Sequence, residues 1–245
     1  MVLTLRDVKR EGWMKIDIVI PSHNRPTKLK KCLNSIMGNM VSKCTVYVYF
    51  SSKFDMQFTV MKYGTHPWLK YRLYEPEFHA AEFWNSHLKT CDADIFMYLT
   101  DDVQLHPGCL STARTRYLLN FPNFDGVLGL NQANFPPNVK AAQGAFGMIG
   151  KNYFNQFPDN AVFCQDFYCM YVDSEMELLA RKHNRFYFSQ EAKLDHFHPA
   201  VNPSYMDETN KHIRRFQGKD DKVWKERRRR GLLWGNDFEL IRDTL

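Results

Sequence analysis

No apolar run in the 245 residues is long enough to cross a bilayer. The opening stretch MVLTLRDVKREGW lacks the apolar core of a secretion signal. A soluble, cytoplasmic protein is expected, with any membrane association peripheral. The six cysteines, Cys32, Cys44, Cys91, Cys109, Cys164 and Cys169, show no metal-type pair spacing. They read as reduced thiols, which argues against a disulfide-stapled secreted scaffold. Repeats, low-complexity tracts and an evident linker are also missing, so a single large domain over residues 1–245 is expected.

Charge is unevenly placed. Residues 211–230 hold ten Lys or Arg against three Asp or Glu, a surplus of +7, while the rest of the chain sums to −1. That asymmetry points to an anionic ligand or partner for the C-terminal segment.

The remaining sequence alternates strand and helix. KIDIVIP, Lys15 to Pro21, is a strand ended by proline, and a helix is expected from about Thr27 with Leu29, Leu33, Ile36 and Met37 on one face. Gly38 closes that helix and TVYVYF, Thr45 to Phe50, forms a second strand, giving a βαβ unit with parallel strands. A short strand at Lys70 to Tyr74 follows, then a helix from Pro76 to about Thr90 with Phe78, Ala81, Asn85 and Leu88 on one face. The stretch DIFMYLTDDV, Asp94 to Val103, is a continuous apolar run ended by two carboxylates, as in a buried strand reaching its C-terminal edge. Ligands of open α/β sheets bind at that edge. Asp101 and Asp102 there suit a divalent cation and its phosphates, or else are solvated acids at a strand end. Further on, a helix is expected over Cys109 to Leu119, strands at Gly126 to Leu130, Ala145 to Ile149 and Phe186 to Phe188, and a helix over Asp173 to Asn184. Residues 204–245 are expected to form two or three helices.

Four patches in order give a family resemblance: IVIPSHNRPTKLKKCLNSI, AEFWNSHLKTCDADIFMYLTDDVQLHPGCL, GAFGMIGKNYF and VDSEMELLARKHNRFYF. Together they resemble the family 2 glycosyltransferases over about Ile16 to Pro199. The resemblance implies an α/β, Rossmann-like GT-A fold: a mostly parallel central sheet flanked by helices, here with a basic helical tail. Within one domain, residues 14–105 would be the nucleotide-sugar half, 106–200 the acceptor side and 201–245 the tail.

The implied activity is metal-dependent, inverting transfer of a hexosyl-type sugar from a nucleotide diphosphate. Mn²⁺ or Mg²⁺ is the expected metal, and a UDP-sugar is first among the donors. Pro21, Ser22, His23, Asn24 and Arg25 match the donor loop, and Asn85 a polar residue near the base. Thr100-Asp101-Asp102 matches the DxD-type motif, with Asp101 toward the ribose and Asp102 the metal ligand. After the second strand the family has an Asp-rich turn, where this chain has Phe50-Ser51-Ser52-Lys53. Asp173 matches the catalytic base, with helix N-cap as its plainer reading and Glu175 as the fallback base.

In Asp195-His196-Phe197-His198-Pro199 the two histidines share one face of an extended segment, and either can ligate the metal, His198 being preferred. From the basic segment, Lys211 and Arg215 are expected to close over the diphosphate. Arg227 to Arg230 would face outward toward a polyanionic acceptor, nucleic acid being the leading candidate. The competing function is a non-catalytic α/β module that binds nucleic acid or a partner through that segment.

Overall fold

Strand β1 (Ile16–Ser22) is buried at every position because it lies inside the sheet, between β2 (Cys44–Phe50) and β4 (Ile95–Tyr98), and pairs with both in parallel. The computed structural model describes residues 14–41, 43–74, 79–136 and 142–234. Helix α1 (Pro26–Met37) starts on a proline, whose missing N–H is no loss at that position. It buries Leu29, Leu33 and Ile36 as expected, whereas Met37 turns out to solvent. Gly38 closes the helix with right-handed backbone, so no left-handed cap is needed.

Helix α2 (Lys53–Tyr63) was not foreseen. Its buried residues are polar, Asp55 and Thr59, while Phe54, Phe58 and Met61 are exposed. The apolar periodicity that betrays most helices is thus turned away from the core. Strand β3 (Leu69–Leu73) adds to β2 in parallel, and helix α3 (Ala80–Leu88) leads back to β4. The expected helix start at Pro76, and Phe78 with it, lie outside the described residues.

The acid pair turns the chain into a three-residue strand, β5 (Val103–Leu105), and then into helix α4 (Cys109–Asn120). Strands β6 (Val127–Gln132) and β7 (Gly147–Gly150) follow, then the short helix α5 (Lys151–Phe154). Helix α6 (Val172–Lys182) buries Met176, Leu179 and Ala180 as its spacing requires. Strand β8 (Phe186–His196) is far longer than the three residues expected, and His196 is its last residue rather than part of a following loop.

The sheet order is β3-β2-β1-β4-β7-β6-β8-β5. It is parallel from β3 to β4 and again between β6 and β8, and antiparallel where β7 meets β4 and β6 and where β5 meets β8. Gly147 is required at the β6–β7 seam, since a Cβ there would sit 2.2 Å from the Leu128 carbonyl oxygen. One face packs Ile16, Ile18 and Ile20 against α1 and α4. The other packs Val19, Phe96 and Tyr98 against α3, α6 and the aromatic stretch around Phe154, Phe163 and Phe167.

Residues 203–205 make a single 3-10 turn, and one 22-residue helix, α7 (Glu208–Arg229), forms most of the described part of the tail; residues 235–245, which the expected helices also covered, lie outside the described residues. Its buried residues, Thr209, Asn210, Asp220 and Arg227, are all polar. Its fully buried contacts are hydrogen bonds and ion pairs, beside which Phe216 stacks on Tyr168 and Val223 and Trp224 pack half-buried against the core. No helix of the described residues is long and apolar enough to cross a membrane.

Candidate active site at the sheet edge

The ends of β1 and β4 open one cleft. Beyond Ser22, Asn24 takes a left-handed conformation (φ 53°), tolerable for its short polar side chain. Its N–H donates to Asp55 on α2 at 3.1 Å, and His23 contacts the Ser51 hydroxyl. An acid thus does stand after β2, inside helix α2, and it holds the loop that follows β1.

Arg25 reaches back under this loop. Its guanidinium bonds Asp101 Oδ1 at 3.1 Å, Asp102 Oδ2 at 3.3 Å and Asp207 Oδ1 at 2.9 Å. Both adjacent acids are therefore buried, 2% and 4% exposed, rather than solvated. Their burial is tolerable because a cation lies between them. Their surroundings pull the two carboxyls in opposite directions. Burial lifts the Asp101 carboxyl to about 6 against the pull of Arg25. Burial acts on Asp102 too, but His196, Arg25 and the Thr100 hydroxyl hold it well below the usual carboxylate range. Ser22 donates to Asp101 Oδ2 at 2.9 Å, and Thr100 to Asp102 Oδ1 at 2.6 Å.

His196 and Asp102 face each other. His196 Nε2 is 3.5 Å from Asp102 Oδ1, and Nδ1 is 2.9 Å from Gln132 Oε1. Gln132 donates its amide nitrogen to the Ala142 carbonyl at 3.1 Å, so its oxygen is the atom presented to His196. Nδ1 then carries a hydrogen, and Nε2 is the atom turned toward the carboxylate oxygen. Something positive belongs between them, a proton or a cation. His198 stacks beside His196 with ring centroids 5.0 Å apart. Its Nδ1 accepts the Ala200 N–H at 3.1 Å, which puts the hydrogen of the neutral ring on Nε2. Burial pushes the His198 imidazole down to about 4, so that ring is neutral.

Asp173 lies across the cleft, in the first turn of α6. The N-cap is Tyr171, in a left-handed conformation (φ 68°), so Asp173 does not cap the helix. Burial raises its carboxyl, while the Ser174 N–H, 2.8 Å away, partly offsets the rise. Glu175 points elsewhere. It is 1% exposed, and both its oxygens accept from Arg227 at 2.7 to 3.1 Å. That ion pair contradicts the expectation that Arg227 faces outward.

The loop before α6 is shaped by Asp220 of α7. Its carboxylate accepts the backbone N–H groups of Tyr168, Cys169 and Met170 at 2.8, 2.9 and 2.8 Å. Tyr171 donates to Asp221 at 2.7 Å and stacks on Trp224. No motif marked Asp220; an acid buried on a helix otherwise rich in charge leaves no periodic signal.

These walls enclose a cavity of about 380 Å³, within the usual range for a small-molecule site. Pro21, His23, Arg25, Asp101, Asp102, Asp173, His196 and His198 all line it. Ser22 acts one step behind, through Asp101. Asn24 shapes the loop. Asn85 lies outside the cavity lining: both ends of its amide are taken by the Phe163 backbone, at 2.7 and 3.1 Å. Lys211 pairs with Glu208 on the surface, Arg215 is exposed, and neither lines the cavity. From α7 it is Thr209, Asn210 and Ile213 that do. Three buried polar atoms on lining residues, Arg25 Nε, Trp84 Nε1 and Asn210 Oδ1, have no protein partner.

No family model matches the sequence, and no curated protein matches it. Solved structures do. S. aureus TarS 1–349 superposes with a TM-score of 0.59 at 15% identity, over 78% of this chain and 63% of that one. Its complex with UDP-GlcNAc gives 0.59 at 15%, over 74% and 57%. The mannosyltransferase PcManGT from Pyrobaculum calidifontis, in complex with GDP-Man and Mn²⁺, gives 0.58 at 13%, over 74% and 56%. The chain thus spans 56% to 63% of the length of these proteins. At such identity the likeness is one of fold, and that fold is the GT-A arrangement: a mixed, mostly parallel sheet flanked by helices.

Proposed function

We propose that this chain is a metal-dependent, inverting glycosyltransferase of the family 2 type, which moves a hexosyl group from a nucleotide diphosphate donor to an acceptor. The observation that carries this reading is the cavity itself. The acid pair at the end of β4 and the half-buried Asp173 of α6 line one pocket at the sheet edge, in a fold shared with structures that hold UDP-GlcNAc and GDP-Man.

The residues fit a divalent cation. Asp102 Oδ1 and His196 Nε2 converge at 3.5 Å, a separation that two ligands of one metal can span. Hard Mn²⁺ or Mg²⁺ suits an oxygen and imidazole set. His196 is then the imidazole ligand in preference to His198, whose Nδ1 is taken by the Ala200 N–H. Bound there, the metal would offset the charge of the leaving diphosphate. Arg25 holds both acids in place and adds a positive charge beside the donor. The loop from Pro21 to Arg25 meets the nucleotide, with a UDP-sugar the first donor to try. Asp173 takes the acceptor's proton as the acceptor attacks the anomeric carbon from the face opposite the leaving group, inverting it. The upward pull of burial on Asp173 makes it a stronger base than a solvated aspartate. The exposed cations of α7, from Lys211 to Arg230, support a polyanionic acceptor, nucleic acid first.

Thermal shift tests this. Wild type should be stabilised by a UDP- or GDP-type nucleotide only with Mn²⁺ present. Asp102→Asn should lose that response while its circular dichroism stays unchanged. A metal-dependent shift of wild-type size in Asp102→Asn refutes the ligand assignment. A shift with DNA alone, without metal, would favour a binding module instead.

A further inference from the structure

A second ligand cluster lies at the opposite end of β1. Asp17 is the second residue of that strand, and Ser22, at the cleft, is its last. Five residues of extended chain put the two about 16 Å apart. His87 of α3 and Cys91 of the connection into β4 converge on Asp17 from the side packed with aromatic rings. His87 Nε2 is 3.1 Å from Asp17 Oδ2, and Cys91 Sγ is 3.6 Å from the same oxygen. One ligand atom of each of the three lies within 4.8 Å of the other two. Among the described residues this is the only such group of three.

The geometry points to a structural zinc-type cation site formed by Asp17 Oδ2, His87 Nε2 and Cys91 Sγ. A tetrahedral Zn²⁺ with N and O ligands near 2.0 Å and S near 2.3 Å has N···O edges of about 3.3 Å and S···O edges of about 3.5 Å. The separations already present, 3.1 and 3.6 Å, are within a few tenths of these. The ligand set is chemically right as well: a thiolate, an imidazole and a carboxylate suit zinc and not Mg²⁺ or Ca²⁺.

The outer partner is in place. Tyr49 Oη lies 3.0 Å from His87 Nδ1, where a metal-bound imidazole needs an acceptor for its other hydrogen. The charge argument agrees. Asp101, Asp102 and Glu175 each have an arginine. Asp17, 8% exposed, has a lysine or arginine within 4 Å nowhere among the described residues; its one such pair is with His87.

Without metal the Cys91 thiol donates its hydrogen to Asp17 Oδ2. The cation bonds the sulfur, the thiol proton goes to solvent, and the imidazole hydrogen moves from Nε2 to Nδ1, where Tyr49 accepts it. The ion then carries two anionic ligands and one neutral one, and water takes the fourth position. Such a site would pin α3 and the start of β4 to β1. Since α3 carries Ala80 and Trp84 of the cleft wall, the pin would set that wall from behind.

Cobalt substitution tests this, and Cys91→Ser separates the site from Cys169, the thiol that lines the cleft. Excess Co²⁺ added to the full chain should give a thiolate-to-cobalt absorption band, in wild type and in Asp102→Asn alike. Cys91→Ser keeps a hydroxyl beside Asp17 and should fold, but the band should vanish. Zn²⁺, measured by competition with a chromogenic chelator, should bind Cys91→Ser and His87→Gln about a hundredfold more weakly or worse. Zn²⁺ should also raise the Tm of wild type and Asp102→Asn, but not of Cys91→Ser. Absence of the band in wild type, its persistence in Cys91→Ser, or undiminished zinc affinity in His87→Gln would each overturn the assignment.

Discussion

Arg25 and Arg227 are both nearly buried among carboxylates, and their surroundings differ in one respect. Arg227 takes both oxygens of Glu175 and adds Asp166 at 2.6 Å, away from the cavity. Arg25 takes one oxygen from each of Asp101, Asp102 and Asp207 and leaves Asp102 Oδ1 to Thr100 and His196, on the cavity wall. The first cluster closes on itself and fastens α7 to α6. The second keeps an anionic oxygen turned toward a space a ligand can enter. The same ion-pair chemistry therefore serves attachment in one place and leaves coordination capacity in the other. Unspent lone pairs separate the two.

The largest effect should come from breaking the closed cluster. Arg227→Ala strands Glu175 with its charge buried and should cost about 3–5 kcal/mol in urea unfolding. The double variant Arg227→Met with Glu175→Met should recover most of that loss, because an apolar pair replaces a closed ion pair at little penalty. If the double variant is as unstable as the single, the cluster is doing more than fastening.

Asp173→Asn comes next and acts on the open side. Turnover should fall roughly a hundredfold or more, with donor affinity unchanged. The pH profile sharpens the point. Asp173 must be deprotonated to accept a proton, and burial raises its pKa. Wild-type kcat should therefore decline with falling pH earlier than an ordinary aspartate would allow. A rate that stays flat until the normal aspartate range rules out Asp173 as the base, and Glu175, locked to Arg227, could not substitute.

The smallest effect belongs to the surface of α7. Arg228, Arg229 and Arg230 are exposed, Arg228 lying over Trp224 and Arg229 pairing with Glu226. Replacing all three by alanine should change stability by no more than about 0.5 kcal/mol per site and leave donor hydrolysis intact. If the acceptor is nucleic acid, binding should weaken, and each lost phosphate contact should reduce the slope of log affinity against log salt by about 0.7 to 0.9. An unchanged slope makes these arginines a solvated face.

Much of the sheet could be read from local pattern. Ile16, Ile18 and Ile20 alternate because one face of β1 meets α1, and Ile95 to Leu99 is wholly apolar because both faces of β4 are covered. Apolar burial writes itself into the sequence at period two or three and a half. Polar docking does not. Helix α2 hides behind exposed Phe54, Phe58 and Met61, and the residues that α7 buries fully are Thr209, Asn210, Asp220 and Arg227. A buried charge is recognisable only once its partner is known, and the partners of Asp220 lie 50 to 52 residues away.

The sequence by itself determined the α/β alternation, the acid pair at a strand end, and Asp173 at a helix start. Each depends on neighbours within a turn or a strand. Only the tertiary structure decided how those residues are used. It put Arg25 between the two acids, set Gln132 so that His196 turns Nε2 to Asp102, spent Asn85 on the Phe163 backbone and locked Glu175 to Arg227. Proton positions and ion pairs are fixed by which groups meet across the fold, over separations of 52 to 78 residues in these cases. No local periodicity encodes a meeting at that range.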